Sequence, residues 1–523
     1  MKKQFFLMLM ALSLLLFTFC QKQDSASRKL SDDPSVKHKI TWIAGFWVNE
    51  PDPKGLIKAE IEKDLNIELD WQWVPNGPLK EKTRVLINAG DFPDCLTIPE
   101  RWDFKVEYEQ WAKNGVFLDL KPYIEKFGPN IKKYRTDKEY NEGPGMLDGQ
   151  VSGKIYGLPT GTNSDLKNAW FIRKDWLDKF GLSVPETLDE WYTYWEKCTN
   201  EDPDGNGKKD TYGIAWSKNG PFMLEPLFQA FDVLPNYPVD VGNGEYRPYF
   251  FHPNFQECIT FINKIWENGL MDLDSPGVPA NKMRNKFVGG FLGTAYFGYS
   301  SLGWRQRTLR DAVPTGIVAF PEPPKNKDGK RTVVQGRSFK RCNVIFSKAA
   351  EVQGKAERII KLWDWFLGDK GRMLSRYGIE GRHYTVENGQ KTTTETWKGD
   401  NMNNIRILMV RNTPEDKQGP IEWEGENIQY TKTWMAMEEK LLKYMKLNPL
   451  LGAPKTEAQK TGLEFEEYEK EMLYKLGMGE VPITEKSIKE FRDTWLSKGG
   501  KQHCDELNQY IANQMKLLGI NKL

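Results

Sequence analysis

The chain has 523 residues, 39% of them apolar and 13% aromatic, with 74 basic side chains against 72 acidic ones. That length sets an expectation of two or more domains, or of one architecture in two lobes with a large core. A charge balance this close to neutral supplies no electrostatic reason to expect nucleic acid as a partner, and four histidines, none in an HExxH arrangement, argue against a histidine-based metal or catalytic centre.

The chain opens with Lys2 and Lys3, an apolar run from Phe5 to Phe17, and then Cys20 followed at once by polar residues. A short cationic stretch, a helix-forming apolar stretch and a thiol form the pattern at which a bacterial lipoprotein is cut and acylated. Cys20 is therefore the expected lipidation site, and the protein is expected to be extracytoplasmic and tethered to the cell membrane by lipid alone. The apolar run is shorter than the roughly 20 residues that span a bilayer. Phe19 stands where such a peptidase usually meets a small residue, so an ordinary secretory signal with Cys20 incidental stays open. Residues 21–37 carry almost no apolar side chains and read as a flexible tether. The remaining cysteines, at 95, 198, 258, 342 and 504, are odd in number and irregularly spaced, which excludes a disulfide scaffold and a CxxC zinc site.

From residue 38 to 100, short apolar runs alternate with amphipathic segments. A strand is expected around Ile40 to Trp47, a helix near Lys54 to Leu65, a strand Ile67 to Trp73, a helix from Pro78 to Asn88 and a strand ending at Ile98. Such alternation implies a parallel sheet covered by helices, with the ligand crevice beyond the carboxyl ends of the strands. A second α/β pattern starts near 156. Trp170 to Arg173 reads as a strand, Lys174 to Phe180 as a helix stopped by Gly181, and Thr187 to Glu190 as a capping box opening another helix. Residues 293–299 read as a strand ending at a chain reversal, followed by a turn at 300–304. Ile359, Leu362, Trp363, Phe366 and Leu367 form one apolar helix stripe, placing Trp363 in the core. Residues 385–404 and 411–427 read as loops, and the tail from 456 onward as helical.

The sharpest motif is Asp202-Pro-Asp204-Gly-Asn206-Gly207-Lys208-Lys-Asp210. It matches nine positions of a calcium loop, with oxygen side chains at 1, 3, 5 and 9, a glycine at 6 for the sharp turn and a backbone carbonyl at 7. Position 12 is Gly213 rather than a bidentate glutamate, so the remaining ligands must come from water, from Thr211 or from a distant carboxylate. A structural Ca2+ is the expected role.

Four stretches together resemble a known family: WFIRKDWLDKFG (170–181), VPETLDEW (184–191), the DPDGNGKKD loop (202–210) and YGIEGRHY (377–384). They are similar to the large extracellular solute-binding lipoproteins of bacterial ABC importers, in particular to alginate-oligosaccharide-binding proteins and family 1 sugar-binding lipoproteins. The resemblance implies an α/β, two-lobed, periplasmic-binding-protein-like fold of type II with lobes joined by hinge crossings. It implies that the lobes close on an oligosaccharide and deliver it to the transmembrane subunits of an ABC permease, and that the 202–210 loop holds one calcium ion away from the ligand. The expected division is residues 38–155 plus about 295–340 in the N-terminal lobe, and about 156–294 plus 341–523 in the C-terminal lobe, in a monomer.

Sugar receptors stack aromatic rings on the CH faces of sugars and ring the hydroxyls with planar polar groups. The rings expected at strand ends or in loops are Trp47, Trp102, Tyr299, Trp304 and Trp423. Arg337, Glu380 and Arg382 are the candidate polar partners, arginine being suited to a uronate by bidentate geometry. An exported glycan-cleaving enzyme is the rival reading, since a glycosidase needs only a suitably spaced carboxylate pair. A receptor for peptide or another polar nutrient would share the fold.

Overall fold

The computed structural model describes residues 29–46, 50–99, 104–134, 150–151, 154–160, 168–275, 277–298, 301–334, 341–387, 389–400, 426–446, 448, 450, 456–462 and 464–518. Eight strands carry the architecture: β1 (His38–Phe46), β2 (Ile67–Pro75), β3 (Cys95–Ile98), β4 (Leu158–Pro159), β5 (Asn168–Arg173), β6 (Thr294–Gly298), β7 (Val318–Ala319) and β8 (Cys342–Ile345). They fall into two separate sheets, ordered β2-β1-β3-β8-β4 and β6-β5-β7. Each sheet has its own helices and its own core, which is the expected two-lobed α/β arrangement.

In the first lobe β1 runs parallel to β2 over its whole length, from His38 opposite Ile67 to Phe46 opposite Pro75. A parallel pair needs a crossover, and the helix Leu56–Leu65 supplies it. Asp52 starts that helix, accepting the Leu56 N–H on Oδ1 at 2.7 Å and those of Ile57 and Lys58 on Oδ2 at 2.9 and 3.0 Å. Those are three of the donors that a helix leaves unmatched at its N-terminus. Trp42 is fully buried, stacked on Trp71 at 5.4 Å and meeting Trp363 at 6.4 Å. Its indole donates to Thr97 Oγ1 at 3.1 Å, and Thr97 donates on to Asn343 Oδ1 at 2.8 Å. Trp363 is core, as its helix stripe predicts.

The second lobe is built on β5, flanked antiparallel by β6 and β7. The expected capping box is formed: Thr187 Oγ1 accepts from the Glu190 N–H, the Glu190 carboxylate accepts from the Thr187 N–H at 3.0 Å, and the helix Leu188–Asn200 follows. That helix lays Trp191, Tyr194 and Trp195 against β5 and β6, where Trp195 Nε1 donates to Thr294 Oγ1 at 3.0 Å.

Three expectations about chain segments need correction. Strand β6 pairs with β5, residue for residue from Thr294 opposite Ile172, and residues through 334 pack in the second lobe. The return to the first lobe comes instead at 335–340, because β8 pairs antiparallel with β3 and β4 and the helix Lys355–Leu367 covers that sheet. Residues 294–334 therefore belong with the second lobe, and 341–400 with the first. Residues 384–399 form a hairpin and a short helix rather than a loop, and residues 302–304 begin the helix Leu302–Ala312 rather than a turn. Lastly, residues 29–37 are docked. Asp32 receives Arg358 on both oxygens, Nε at 2.9 Å and Nη2 at 2.7 Å, with Lys361 at 2.8 Å, and the Arg358 side chain is buried. A polar composition alone reads as a tether; the partner that overrides it lies 326 residues away. The five cysteines at 95, 198, 258, 342 and 504 are free and buried.

Candidate functional site

The strand registers bring several chain ends to one place. β1 and β3 are parallel, β8 meets β3 with Cys342 opposite Ile98, and β4 meets β8 with Pro159 opposite Cys342. The carboxyl ends of β1, β3 and β4 and the amino end of β8 thus share one sheet edge. In the second lobe the carboxyl end of β6 shares an edge with the amino end of β5, Gly298 standing opposite Asn168. The chain passes between the lobes three times, through 161–167, 335–340 and 401–425. Thr160 and Asn168 are eight residues apart, so a reach of about 3.5 Å per residue keeps the two edges within about 28 Å of each other. The carboxyl ends of strands are where an α/β fold binds ligands.

On the second-lobe side, the wall is built around the end of β6. Phe297 is buried, and two guanidinium groups lie over its ring: Arg305 Cζ at 4.4 Å from the centroid and Arg284 Cζ at 5.7 Å. Arg305 comes from the helix that follows β6 and also covers Trp304 at 3.8 Å. Arg284 comes from the helix Ala280–Val288, donates from Nε to the Tyr296 carbonyl at 2.7 Å and lies 5.3 Å from the Phe222 centroid. Among the described residues neither arginine has a carboxylate partner. Burial, with the Arg284 charge beside it, pulls the Arg305 guanidinium down to about 10, and burial also lowers Arg284. The neighbouring Glu225 accepts the Tyr296 hydroxyl.

Of the expected ligand residues, Trp47, Trp102, Tyr299, Arg337 and Trp423 lie outside the described residues. Trp304 is 43% exposed on its helix. Glu380 and Arg382 are in the first lobe. Glu380 accepts the Tyr384 hydroxyl at 3.4 Å, while Arg382 turns Nε and Nη2 onto Asp400 at 3.1 and 2.9 Å. Asp400 is buried and also receives Lys54 at 2.9 Å and His383 Nε2 at 3.1 Å. Burial alone would raise this carboxyl, but those three donors outweigh it and hold Asp400 well below the usual carboxylate range. Arg382 is thus engaged in an ionic cluster of the first lobe, and Trp304 stands on the second lobe. Sequence reasoning missed Arg284 and Arg305. Arg305 directly follows Trp304, but nothing local marks Arg284, which reaches the site only because its helix packs beside β6.

The 202–210 loop turns as expected, with Gly207 at φ 75°. Asp202 accepts from the backbone N–H groups of Gly205 and Asn206 at 3.1 Å and of Gly207 at 3.0 Å, and Lys208 N–H donates to Asn206 Oδ1 at 2.7 Å. The Asn206 amide stands between the other acids, donating to Asp204 Oδ2 at 2.7 Å and to both Asp210 oxygens at 3.2 Å. Among the described residues no three His, Cys, Asp or Glu side chains are grouped so as to hold a metal. Partial burial raises the Asp204 carboxyl, and the adjacent Asp202 and Asp210 raise it further. Thr211 is not available as a ligand, contrary to expectation: its hydroxyl is buried and donates to the Cys198 carbonyl at 2.8 Å. Position 12 has a physical reason to be glycine, since a Cβ on Gly213 would come 2.3 Å from Trp195 Cβ and 2.5 Å from its Cα.

The profile of the bacterial extracellular solute-binding proteins matches residues 49–335, more than half of the chain. The chain belongs to that family. This solute-binding protein is 26% identical over 498 residues to the polygalacturonan/rhamnogalacturonan-binding protein YtcQ of Bacillus subtilis, covering 94% of each chain. Among solved structures it is similar to alginate-binding protein AlgQ2 without calcium ion, with a TM-score of 0.61 at 19% identity over 92% of this chain and 99% of that one. It is likewise similar to an EF-hand mutant of the Streptococcus pneumoniae substrate-binding protein FusA in complex with fructo-nystose, with a TM-score of 0.63 at 19% identity over 92% and 99%. These likenesses assign the fold to the type II periplasmic-binding-protein-like class, and the family's members bind solutes for transport rather than transform them.

A cavity of about 760 Å3 opens within the second lobe of this solute-binding protein, between the helices Ala280–Val288, Phe465–Gly477 and Lys501–Leu518. Phe222, Glu225, Tyr249, Arg284, Glu469 and Trp495 are among the residues that line it. No helix among the described residues is long and apolar enough to cross a membrane.

Proposed function

We propose that this protein is the lipid-anchored receptor of an ABC importer, binding an oligosaccharide between its two lobes and delivering it to a membrane permease without altering it. The observation that supports the reading is that the chain builds two separate sheets, each with its own core, and returns to each lobe after leaving it. Two lobes joined in this way can rotate about their connections, and a ligand that touches both favours the closed form by its differential affinity. The permease then recognises closure. The saccharide class follows the relatives, which are named for polygalacturonan, alginate and fructo-oligosaccharide binding. Anchoring through Cys20 places the receptor outside the membrane, and a monomer suffices because both walls of the crevice come from one chain.

The same reading assigns a structural Ca2+ to the 202–210 loop. Asp202, Asp204, Asn206, Asp210 and the Lys208 carbonyl would hold it, the clustered carboxylates being a hard-cation donor set. The ion would neutralise the acids that now raise Asp204 and would brace the turn leaving the helix Leu188–Asn200. We expect 1 mM calcium to raise the melting temperature by a few degrees, on the order of 1 kcal/mol, and Asp204→Asn to abolish that increment. A melt insensitive to calcium and to chelator would remove the ion from the account.

Titration of residues 24–523 with neutral and uronate oligosaccharides, followed by tryptophan fluorescence and mass spectrometry, tests the receptor itself. Saturable binding with the ligand recovered intact is the expected result. Cleavage would replace the receptor with an enzyme, and failure of every saccharide would shift the ligand to a peptide or another polar nutrient.

A further inference from the structure

The arginine pair at the end of β6 carries an inference about what kind of saccharide this receptor takes. Arg284 and Arg305 arrive from two different helices and cover one buried ring, Phe297, at 5.7 and 4.4 Å. Guanidinium groups buried to this degree are ordinarily matched with carboxylates, because removing a cation from water without a counter-charge costs several kcal/mol. Arg358, which has Asp32, and Arg173, which has Asp175 at 2.9 Å, follow that rule, whereas the half-buried Arg492 is met by the Phe250 and His252 carbonyls. At β6 no carboxylate among the described residues meets the pair. The only hydrogen bond that Arg284 makes among the described residues is from Nε to the Tyr296 carbonyl, and Arg305 Nε is buried with no acceptor. The nearest acid named in the wall, Glu225, accepts the Tyr296 hydroxyl. Burial first, and then the Arg284 charge, make Arg305 lose its proton more readily than an ordinary arginine.

Aromatic surface frames the two charges. Trp304 is 43% exposed with the Arg305 guanidinium 3.8 Å from its ring, and Phe222 flanks Arg284 at 5.3 Å. A hydroxyl-only sugar would be served by amides and backbone groups, and it would leave the two half-buried charges without a counter-charge. A carboxylate is planar, matches the guanidinium fork and cancels the repulsion between the pair. A sugar ring bearing that carboxylate keeps an apolar CH face for Trp304.

We propose that Arg284 and Arg305 form a carboxylate-reading subsite, so that the receptor selects acidic, uronate-bearing oligosaccharides over neutral ones. The proposal rests on the receptor reading above and adds the charge of its ligand. Among the described residues neither arginine takes part in an ion pair, so each can be neutralised without orphaning a carboxylate there.

The test compares oligogalacturonate of defined length with its fully methyl-esterified form and with a neutral oligosaccharide of equal length, by calorimetry on residues 24–523. The expected result is that wild type binds the free acid at least about tenfold more tightly than the ester, as for a charge-assisted pair of bonds. Arg284→Gln and Arg305→Gln should each remove most of that preference, leave the ester affinity within about threefold, and make acid binding less sensitive to salt. Arg305→Lys, which keeps the charge and loses the fork, should restore part of the preference. Equal affinity of wild type for acid and ester overturns the proposal while leaving a saccharide receptor standing, and that arm does not depend on any variant folding. Silence towards all three ligands overturns both. A preference for the acid that survives in both glutamine variants, with unchanged melting, would also overturn it by locating the selectivity elsewhere.

Discussion

Each lobe is assembled from two stretches of chain that are far apart in sequence, but the two seams are made of different chemistry. In the first lobe, residues 29–160 meet 341–400 through an apolar core, Trp42 against Trp363 and Phe366, to which a set of acids is added. Asp32 holds Arg358, Asp364 accepts the Ile131 N–H and the Asn130 amide at 2.8 Å, Asp94 receives Lys355 at 3.0 Å, and Asp400 gathers Lys54 and the residues around it. In the second lobe, residues 168–334 meet the C-terminal helices through rings and tyrosine hydroxyls. Phe250 lies 4.8 Å from Phe491 and 5.1 Å from Trp495, Tyr474 donates to the Ser217 carbonyl at 2.8 Å, and Tyr249 bonds Glu469 at 3.0 Å. The difference is instructive. An ionic seam is directional and fixes register, whereas a ring seam is stabilised by area and tolerates cavities beside it, and the cavity of about 760 Å3 lies along the ring seam.

Removing one member from each seam sharpens the contrast. Trp495 is 1% exposed and touches Phe250, Phe251 and Phe465. Trp495→Ala should cost about 3–5 kcal/mol, since the cavity beside it prevents the site from collapsing. A differential scan should show the second-lobe transition moving down by more than the first-lobe one, and a uniform shift would mean that the lobes unfold as one unit. Arg358→Ala comes next, at about 3 kcal/mol, the low end for breaking a buried pair, because the Asp32 left behind sits on a terminal segment that can undock into water. Hydrogen exchange of residues 29–37 should rise to the level of an exposed chain. If protection there is unchanged, the ionic tie is not what holds the segment.

The same contrast explains what was legible in the sequence. Local chemistry came through. The Thr187–Glu190 box, the stripe that buries Trp363 and the alternating units of the first sheet are all set by residues within one turn or one strand of each other. The sheet to which a strand belongs is not a local property. The segment around Thr294–Gly298 reads as a strand, and only pairing sends it to β5 while Cys342–Ile345 goes to β3. The expected lobe boundaries failed for that reason. Residues 29–37 carry only Leu30 and Val36 beside Pro34 as apolar side chains, too few to announce packing, and Leu30 against the first-lobe core together with an acid meeting a distant buried arginine docks them. The candidate site divides the same way: the sequence places Trp304 in a turn after a strand, where the structure has a helix, and Arg284 and Arg305 become a pair only over Phe297.

The smallest effect separates the seams by pH. Glu469, half-buried beside the cavity, has its carboxyl raised to about 7, by burial first and then by Glu466, with the Tyr249 hydroxyl opposing. Its folded-state pKa thus exceeds the ordinary value of 4.5, so the folded state holds a proton that the unfolded chain has released. Second-lobe stability should therefore fall as pH rises from about 4.5 through 7, by about 2 kcal/mol once the solvent reaching the cavity is allowed for. Asp400 has the opposite sign. Its carboxyl is held low, so the contribution it makes to the first lobe is complete at neutral pH and is lost only as pH falls below about 4. Between pH 5 and 7.5 the two lobes should consequently respond differently to base, the ring seam weakening while the ionic seam stays level. Glu469→Gln should flatten the second-lobe slope in that window without moving the first-lobe transition. A slope that persists in the glutamine variant would assign the titration to another group and remove the distinction between the seams at neutral pH.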